Sequence, residues 1–270
     1  MNKTAFHKIK YLLAAAAALF FLFAAGIAAS VYLYPPQGVL IFEYHRVNDD
    51  TAGKDPYSLS RSEFQSELNY FKDNGYNTIS LMDFIRAQKY GEPLPENPVI
   101  LTFDDGYEDN YTNMMPMVQA MGMKATMFMP TNYIGKKGYV SWDQLRQMQQ
   151  KGIEIGSHTA NHLPLTDMDE EAISNEIKLS KLLMEWNGMQ TIYFFSYPNG
   201  AYNDAAIEAL KANDYLAAVT GDAGFNTFST DKYMLQRVNT SNYRFGLTGL
   251  KLRIFKAKVF TRLGLFQHLH

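Results

Sequence analysis

The sequence predicts an α/β protein with a parallel sheet, preceded by one helix long enough to cross a membrane. Three observations lead there. Short apolar runs alternate with amphipathic stretches from Val39 to Val238, and alternation at that density implies parallel strands joined by helices, in an open sheet or a closed barrel. The run Val99 to Phe103 is almost continuously apolar, as a strand covered on both faces must be. Ahead of both, Lys3, Lys8 and Lys10 precede an uncharged stretch from Tyr11 to Tyr34 rich in Ala, Leu and Phe.

The amino-terminal stretch comes first in the chain. As a helix it runs roughly 36 Å at ~1.5 Å per residue, enough for a hydrocarbon core of ~30 Å. Basic residues before it, and only Pro35 and Pro36 directly after it, predict a cytoplasmic segment 1–10, an anchor 11–34 and a domain outside the cell membrane. A cleaved signal peptide competes, because Ala28, Ala29 and Ser30 suit a cleavage site and would release a secreted protein. The apolar run exceeds the usual ~7–15 residues of a signal core, which favours the retained anchor.

The domain is expected over 39–243. Val39 to Tyr44 reads as a strand. Ser60 and Glu63 form a capping box ahead of Phe64, Leu68 and Phe71, with Gly75 ending that helix. Ser80 opens a helix from Leu81 to Lys89, and "YGEPLPENP" is a loop before the strand Val99 to Phe103. A helix from Asp109 to Met121 stops at Gly122, and Ala125 to Met129 is a strand. Ser141 and Gln144 cap a helix ending near Gly152, followed by the strand Ile153 to Ser157. The helix Glu170 to Trp186 ends at Gly188. Ile192 to Tyr197 is a strand, Asp204 to Ala212 a helix, Leu216 to Thr220 a strand, and Leu235 to Val238 one more.

The remaining segment, 244–270, carries Arg244, Lys251, Arg253, Lys256, Lys258 and Arg262 without an acidic residue. Leu247, Leu250, Ile254 and Phe255, then Val259, Leu263 and Phe266, fall near helical spacing. Such a helix either lies on an anionic membrane surface or polymer, or packs on the domain as an ordinary surface helix.

Composition narrows the function classes. With 270 residues, 47% hydrophobic and 19% charged, the chain suits one globular domain with a substantial core. A net charge of -2 offers nothing to nucleic acid, and a monomer is expected. The chain contains no cysteine, which excludes disulfides, thiolate metal sites, cysteine nucleophiles and a lipid-modified amino-terminal cysteine.

Parallel α/β folds build their sites at the carboxyl ends of strands. Three such ends are polar here: Asp104-Asp105-Gly106 after Phe103, "GSHTANH" with His158 and His162 after the next strand but one, and "SYPNGAY" after Phe195. An aspartate pair is by default a turn, and an HxxxH spacing by itself is weak. If the histidine segment begins a helical turn, however, both imidazoles face one side. Two imidazoles and one carboxylate with an open position make a catalytic site for zinc or a similar divalent ion. The second aspartate, kept ionised by the cation, can then accept a proton from activated water.

The segments "TFDDG", "SHTANH" and "SYPNG" resemble the first three motifs of the NodB-type polysaccharide deacetylases, carbohydrate esterase family 4, over roughly Val39 to Thr240. The resemblance implies a distorted (β/α) barrel, one bound divalent metal, with zinc the expected ion, and removal of N-acetyl groups from amino sugars. It makes Asp104 the general base and Asp105, His158 and His162 the metal ligands. The backbone N–H of Asn199, between Pro198 and Gly200, would help hold the oxyanion, with Tyr197 in the same motif.

Many family members take a general acid histidine from a late motif, yet no histidine occurs between His162 and His268. His45 in "IFEYHRV" is the remaining candidate, the alternative being a buried histidine bonded to backbone. That arrangement resembles the subgroup acting on biofilm poly-β-1,6-N-acetylglucosamine. Peptidoglycan or chitin-oligomer deacetylation, and a non-catalytic glycan-binding relative, are the alternatives. The third motif usually opens with an arginine bracing the base, and "YFFSYPNG" has none. Arg237 is the candidate replacement, unless the brace is absent as in that subgroup. Tyr107, Tyr111, Trp142 and Tyr202 are candidates for stacking on sugar rings, or simply core.

Overall fold

The computed structural model describes residues 3–34, 38–241 and 246–264. The chain opens with α1 (Lys3–Leu33), whose stretch Lys10–Leu33 has none of its most apolar window buried inside the protein. A core helix of a soluble domain would bury such a surface. An uncovered one of this length fits a membrane span or a signal sequence.

The domain follows as β1 (Leu40–Tyr44), β2 (Arg46–Val47), β3 (Ser58–Leu59), α2 (Arg61–Asp73), β4 (Asn77–Thr78), α3 (Leu81–Tyr90) and β5 (Pro98–Phe103). After a π-helical turn come α4 (Met115–Ala120), β6 (Thr126–Met129), α5 (Trp142–Gln150), β7 (Glu154–Ser157), α6 (Glu170–Trp186), β8 (Phe194–Ser196), α7 (Asp204–Ala212), β9 (Ala217–Val219), β10 (Val238–Asn239) and α8 (Gly246–Leu263). The helix starts follow the expected chemistry. Ser60 with Glu63 and Ser141 with Gln144 close reciprocal capping boxes, and Ser80 closes a third with Asp83. On α2 the spacing of Phe64, Leu68 and Phe71 places three fully buried side chains on one face, each stabilising by about 1.5–3 kcal/mol.

Two elements depart from expectation. The helix expected from Asp109 to Met121 begins as a π-turn over Asn110–Met114 and only then becomes α4. Pro116 lacks the N–H that regular helix would use, and Met115 N–H reaches back to Asn110 O instead. The strand expected at Leu235–Val238 is split. Leu235 bridges to Val219 while Val238 and Asn239 pair with β1, because this segment crosses from one edge of the sheet to the other.

That crossing curls the sheet. The strand order is β10-β1-β5-β6-β7-β8-β9, with β4 against the start of β5, and every pairing in it is parallel. Leu235 N–H donates to Ala218 O at 3.0 Å, and Thr220 N–H to Leu235 O at 2.9 Å. The result is a curled, distorted (β/α) barrel, as the sequence leads one to expect.

Side chains alternate across the strands. One face carries Leu40, Phe42, Leu101, Met127 and Phe195 into the large core beneath the helices. The other carries Ile41, Ile100, Phe128, Phe194, Val219 and Leu235 into the second core. Two residues further on, that inner row becomes polar: Glu43 follows Ile41, Thr102 and Asp104 follow Ile100, Ser196 follows Phe194, and Arg237 follows Leu235. The barrel is apolar at its base and ionic at its mouth.

The carboxyl-terminal helix α8 packs on the domain through Leu250, Ile254 and Ala257. Arg244 and Phe266 lie outside the described residues.

Candidate active site

Asp104 and Asp105 leave β5 at the mouth and turn apart. Asp105 has φ 70° and Gly106 φ 69°, a left-handed pair that Asp and Gly tolerate best. Asp104 is buried, only 2% exposed, and faces Arg237. Arg237 Nη1 lies 2.9 Å from both carboxylate oxygens, its Nε donates to Thr220 O at 2.9 Å, and the same Nε lies 3.4 Å from Glu43 Oε2. Ser196 Oγ donates to Asp104 Oδ2 at 3.1 Å. Burial works to raise the Asp104 pKa, but Arg237 first, then His158, outweigh it, so the group is held below the usual carboxylate range. Glu43 goes the other way, because burial overcomes the same guanidinium.

Asp105 meets the histidines. His162 Nε2 is 3.0 Å and His158 Nε2 3.6 Å from Asp105 Oδ1, and the imidazole rings are 4.7 Å apart at 69°. The segment between them is no helical turn. Thr159 and His162 have φ 65° and 58°, so the loop doubles back. Glu176 of α6 braces it, accepting Ala160 N–H at 3.0 Å, Asn161 N–H at 2.9 Å and the Asn161 side-chain amide. His162 N–H donates to Thr159 Oγ1 at 2.9 Å.

His158 Nδ1 lies 2.7 Å from Ser196 O. A carbonyl only accepts, so Nδ1 carries the proton and Nε2 presents a lone pair to the mouth. Burial pushes the His158 pKa down to about 4, which keeps that lone pair available. For His162, burial is outweighed by Asp105 and the pKa rises. For Asp105, burial is outweighed by the histidines and the pKa falls well below the usual range.

The residues fit a divalent ion. One ligand atom from each of Asp105, His158 and His162 lies within 4.8 Å of the others. Asp105 Oδ1 is buried without a hydrogen bond although His162 Nε2 is close, so the two atoms are not aligned on each other. A mixed carboxylate and imidazole set suits zinc-like ions. Glu43, His45 and Asp104 also cluster within 4.8 Å, but there the Arg237 guanidinium already supplies the cation.

His45 stands beside this second group, with Nε2 3.9 Å from Glu43 Oε1 and its ring 4.7 Å from that of Tyr57. It is partly exposed at the mouth and not a buried histidine bonded to backbone. The "SYPNG" turn lies opposite, with Asn199 exposed at φ 57° and Pro198 and Gly200 buried. Gly200 is required there, since a Cβ would sit 2.3 Å from Gly221 Cα. Tyr197 corrects one expectation. Its side chain is fully buried and its hydroxyl donates to Tyr233 O at 3.1 Å, so only its backbone borders the mouth.

Tyr107 stacks on Tyr139 at 5.3 Å, with Arg46 over its other face at 4.5 Å. Burial first, then the charge of neighbouring Asp105, raises its pKa. Tyr111 and Tyr202 spend their hydroxyls on Gln147 and Asp222, and Trp142 packs against the main core. Sequence reasoning missed Glu43, Ser196 and Glu176. The period-two continuation of Ile41 and Phe194 would have found the first two.

Side chains able to hold an ion and move protons, gathered at the strand ends of a parallel barrel, define a hydrolytic enzyme. The polysaccharide deacetylase family profile matches residues 91–218. The chain is 32% identical over 206 residues to the putative polysaccharide deacetylase YxkH of Bacillus subtilis, covering 76% of this chain and 72% of that one. It is 27% identical over 242 residues to the poly-β-1,6-N-acetyl-D-glucosamine N-deacetylase of Staphylococcus epidermidis, covering 78% and 82%. The structure of the Streptococcus pyogenes deacetylase PplD in complex with acetate superposes with a TM-score of 0.73 at 25% identity, over 80% of this chain and 98% of that chain. The chain belongs to the polysaccharide deacetylase family, and it is a polysaccharide N-deacetylase.

Proposed function

We propose that this enzyme removes N-acetyl groups from an N-acetylglucosamine polymer of the poly-β-1,6 type, outside the cell membrane, using zinc or a similar divalent ion held by Asp105, His158 and His162. The observation that carries the reading is the division of the mouth. One group of ligand atoms converges with an orphaned carboxylate oxygen, and beside it a second acid is held ionised by a buried arginine.

A bound divalent ion supplies Lewis acidity toward the acetyl carbonyl and the attacking water. Asp104, kept ionised and oriented by Arg237 and Ser196, accepts the proton of that water. The backbone N–H of Asn199 donates to the oxygen on which charge develops. His45 delivers a proton to the departing amine nitrogen, with Glu43 alongside it. The products are acetate and a free amine, which is cationic at neutral pH. Tyr107, its ring held between Tyr139 and Arg46, offers the sugar its phenol hydroxyl and ring edge beside Asp105.

The partial deacetylation of a biofilm polymer is favoured over other glycans by the placement of His45 ahead of the metal motifs and by the Staphylococcus epidermidis relative. Acetate release from poly-β-1,6-N-acetylglucosamine, peptidoglycan and chitin oligomers, with and without chelator, tests it. Release from the first alone, abolished by chelator and by His45→Ala, is expected. Release only from peptidoglycan or chitin would reassign the substrate. Binding without release under any divalent ion would make the protein a glycan-binding relative.

A further inference from the structure

The two faces of α8 have different partners. Leu250, Ile254 and Ala257 face the domain, yet Leu252, Phe255 and Leu263 are 58%, 45% and 42% exposed. With the half-buried Val259 these fall at i, i+3, i+7 and i+11, a second apolar stripe on the solvent side. Exposed Lys251 lies on one flank of that stripe and exposed Lys256 on the other.

The end of α8 is also tied to α1. The Arg262 guanidinium donates to Tyr34 O, just past the end of α1, and to Ser30 O at 3.3 Å, which also accepts Tyr34 N–H. Val31 is the one large apolar side chain of α1, among the described residues, that is buried. The last turns of the two helices therefore travel together, and any bilayer that receives α1 meets the end of α8 at its outer surface.

We propose that α8 is a second membrane contact: its carboxyl-terminal turns enter the outer headgroup region beside α1, Val259 and Leu263 in the apolar boundary and the lysines on anionic headgroups. An apolar stripe flanked by basic residues is the pattern that binds such interfaces. The proposal rests on α1 remaining in the chain as a span.

The chain has no cysteine, so single spin-labelled cysteines can be placed without background in the full-length protein in lipid nanodiscs. Labels at Leu252, Phe255, Val259 and Leu263 would be compared with Phe21 within α1 and with Lys178 on the exposed side of α6. Collision with oxygen relative to a water-soluble nickel complex reads lipid immersion. The expected result is an oxygen preference at Val259 and Leu263 several-fold above that at Lys178. In anionic discs the immersed population should fall roughly fivefold for each of Lys251→Gln and Lys256→Gln, the effect of losing one basic residue near a charged surface.

Water-like collision at Val259 and Leu263 with Phe21 immersed would overturn the proposal while leaving the span intact. Water-like collision at Phe21 as well would overturn both. Immobilisation of the α8 labels only on adding a soluble polyanion, with no lipid contact, would reassign the stripe's flanks to polymer binding and also overturn it.

Discussion

Arg237→Met removes the one cation that two buried carboxylates share. In the folded protein Arg237 is 1% exposed, Asp104 2% and Glu43 7%, and the guanidinium lies 2.9 Å from Asp104 and 3.4 Å from Glu43. Methionine fills part of the volume but leaves the acids facing each other without compensation. Removing one partner of a buried ion pair costs about 3–5 kcal/mol, a large share of the ~5–15 kcal/mol that holds a domain together. Urea unfolding followed by tryptophan fluorescence measures the loss. Adding Glu43→Gln to Arg237→Met should recover part of it, because one uncompensated charge is gone. Acetate release should be lost in Arg237→Met, since the guanidinium that does most to hold Asp104 ionised in position is gone and Ser196 and His158 alone remain against its burial. A loss of stability below about 1 kcal/mol, or a Glu43→Gln change that only adds further destabilisation, would refute the reasoning.

Asp104→Asn should cut acetate release by roughly 10²–10⁴-fold, the usual contribution of a general base, with metal content unchanged by elemental analysis. His158→Ala should lose the metal itself. Glu176→Ala should weaken divalent-ion affinity about 10–100-fold, as loss of a ligand-orienting contact does, and Glu176→Gln should restore part of it in a chelator competition titration; unchanged affinity in the alanine variant would remove the brace assigned to it. In metal-free protein, the unfolded chain protonates His158 near its ordinary pKa of ~6.5, whereas the folded chain waits until about 4. Between those values the unfolded state binds more protons. The contribution, at most roughly 3 kcal/mol, is thus complete above the upper value and lost as pH falls to the lower one. Denaturation at several pH values should show this slope in the parent and a flatter one in His158→Gln, while His162, with its pKa raised, acts in the opposite sense in both.

Much of the architecture was legible because local chemistry and the fold agree. Ser60, Ser80 and Ser141 start their helices where the capping patterns say, and Val99 to Phe103 is the central, doubly covered strand. The motif residues Asp105 and His158 were legible because each follows an apolar run that ends abruptly in polar residues, and His162 because it stands four residues after His158. What escaped was whatever depends on three-dimensional pairing. The shift of partner between Leu235 and Val238 leaves no trace in apolar content. The left-handed residues Thr159 and His162 replace an imagined helical turn. Tyr197 is read as a rim residue from its motif, while its parity puts its side chain with Phe195 in the outer core. Glu43 is a single charge within an apolar strand, and only the closure of the barrel brings Arg237 and Asn239 beside it.

The amino-terminal helix joins the barrel at the strand starts, where Leu33 and Tyr34 border the same groove as Gly38, Leu40 and Pro98. The reactive groups sit at the opposite pole, beyond the roughly 16 Å that the five residues of β1 span at ~3.3 Å each. With that helix in a bilayer, the pole that does the chemistry looks away from the lipid at a set standoff. Glycan lying flat on the headgroups would pass beneath it, and strands already extended into the surrounding matrix would be the ones within reach.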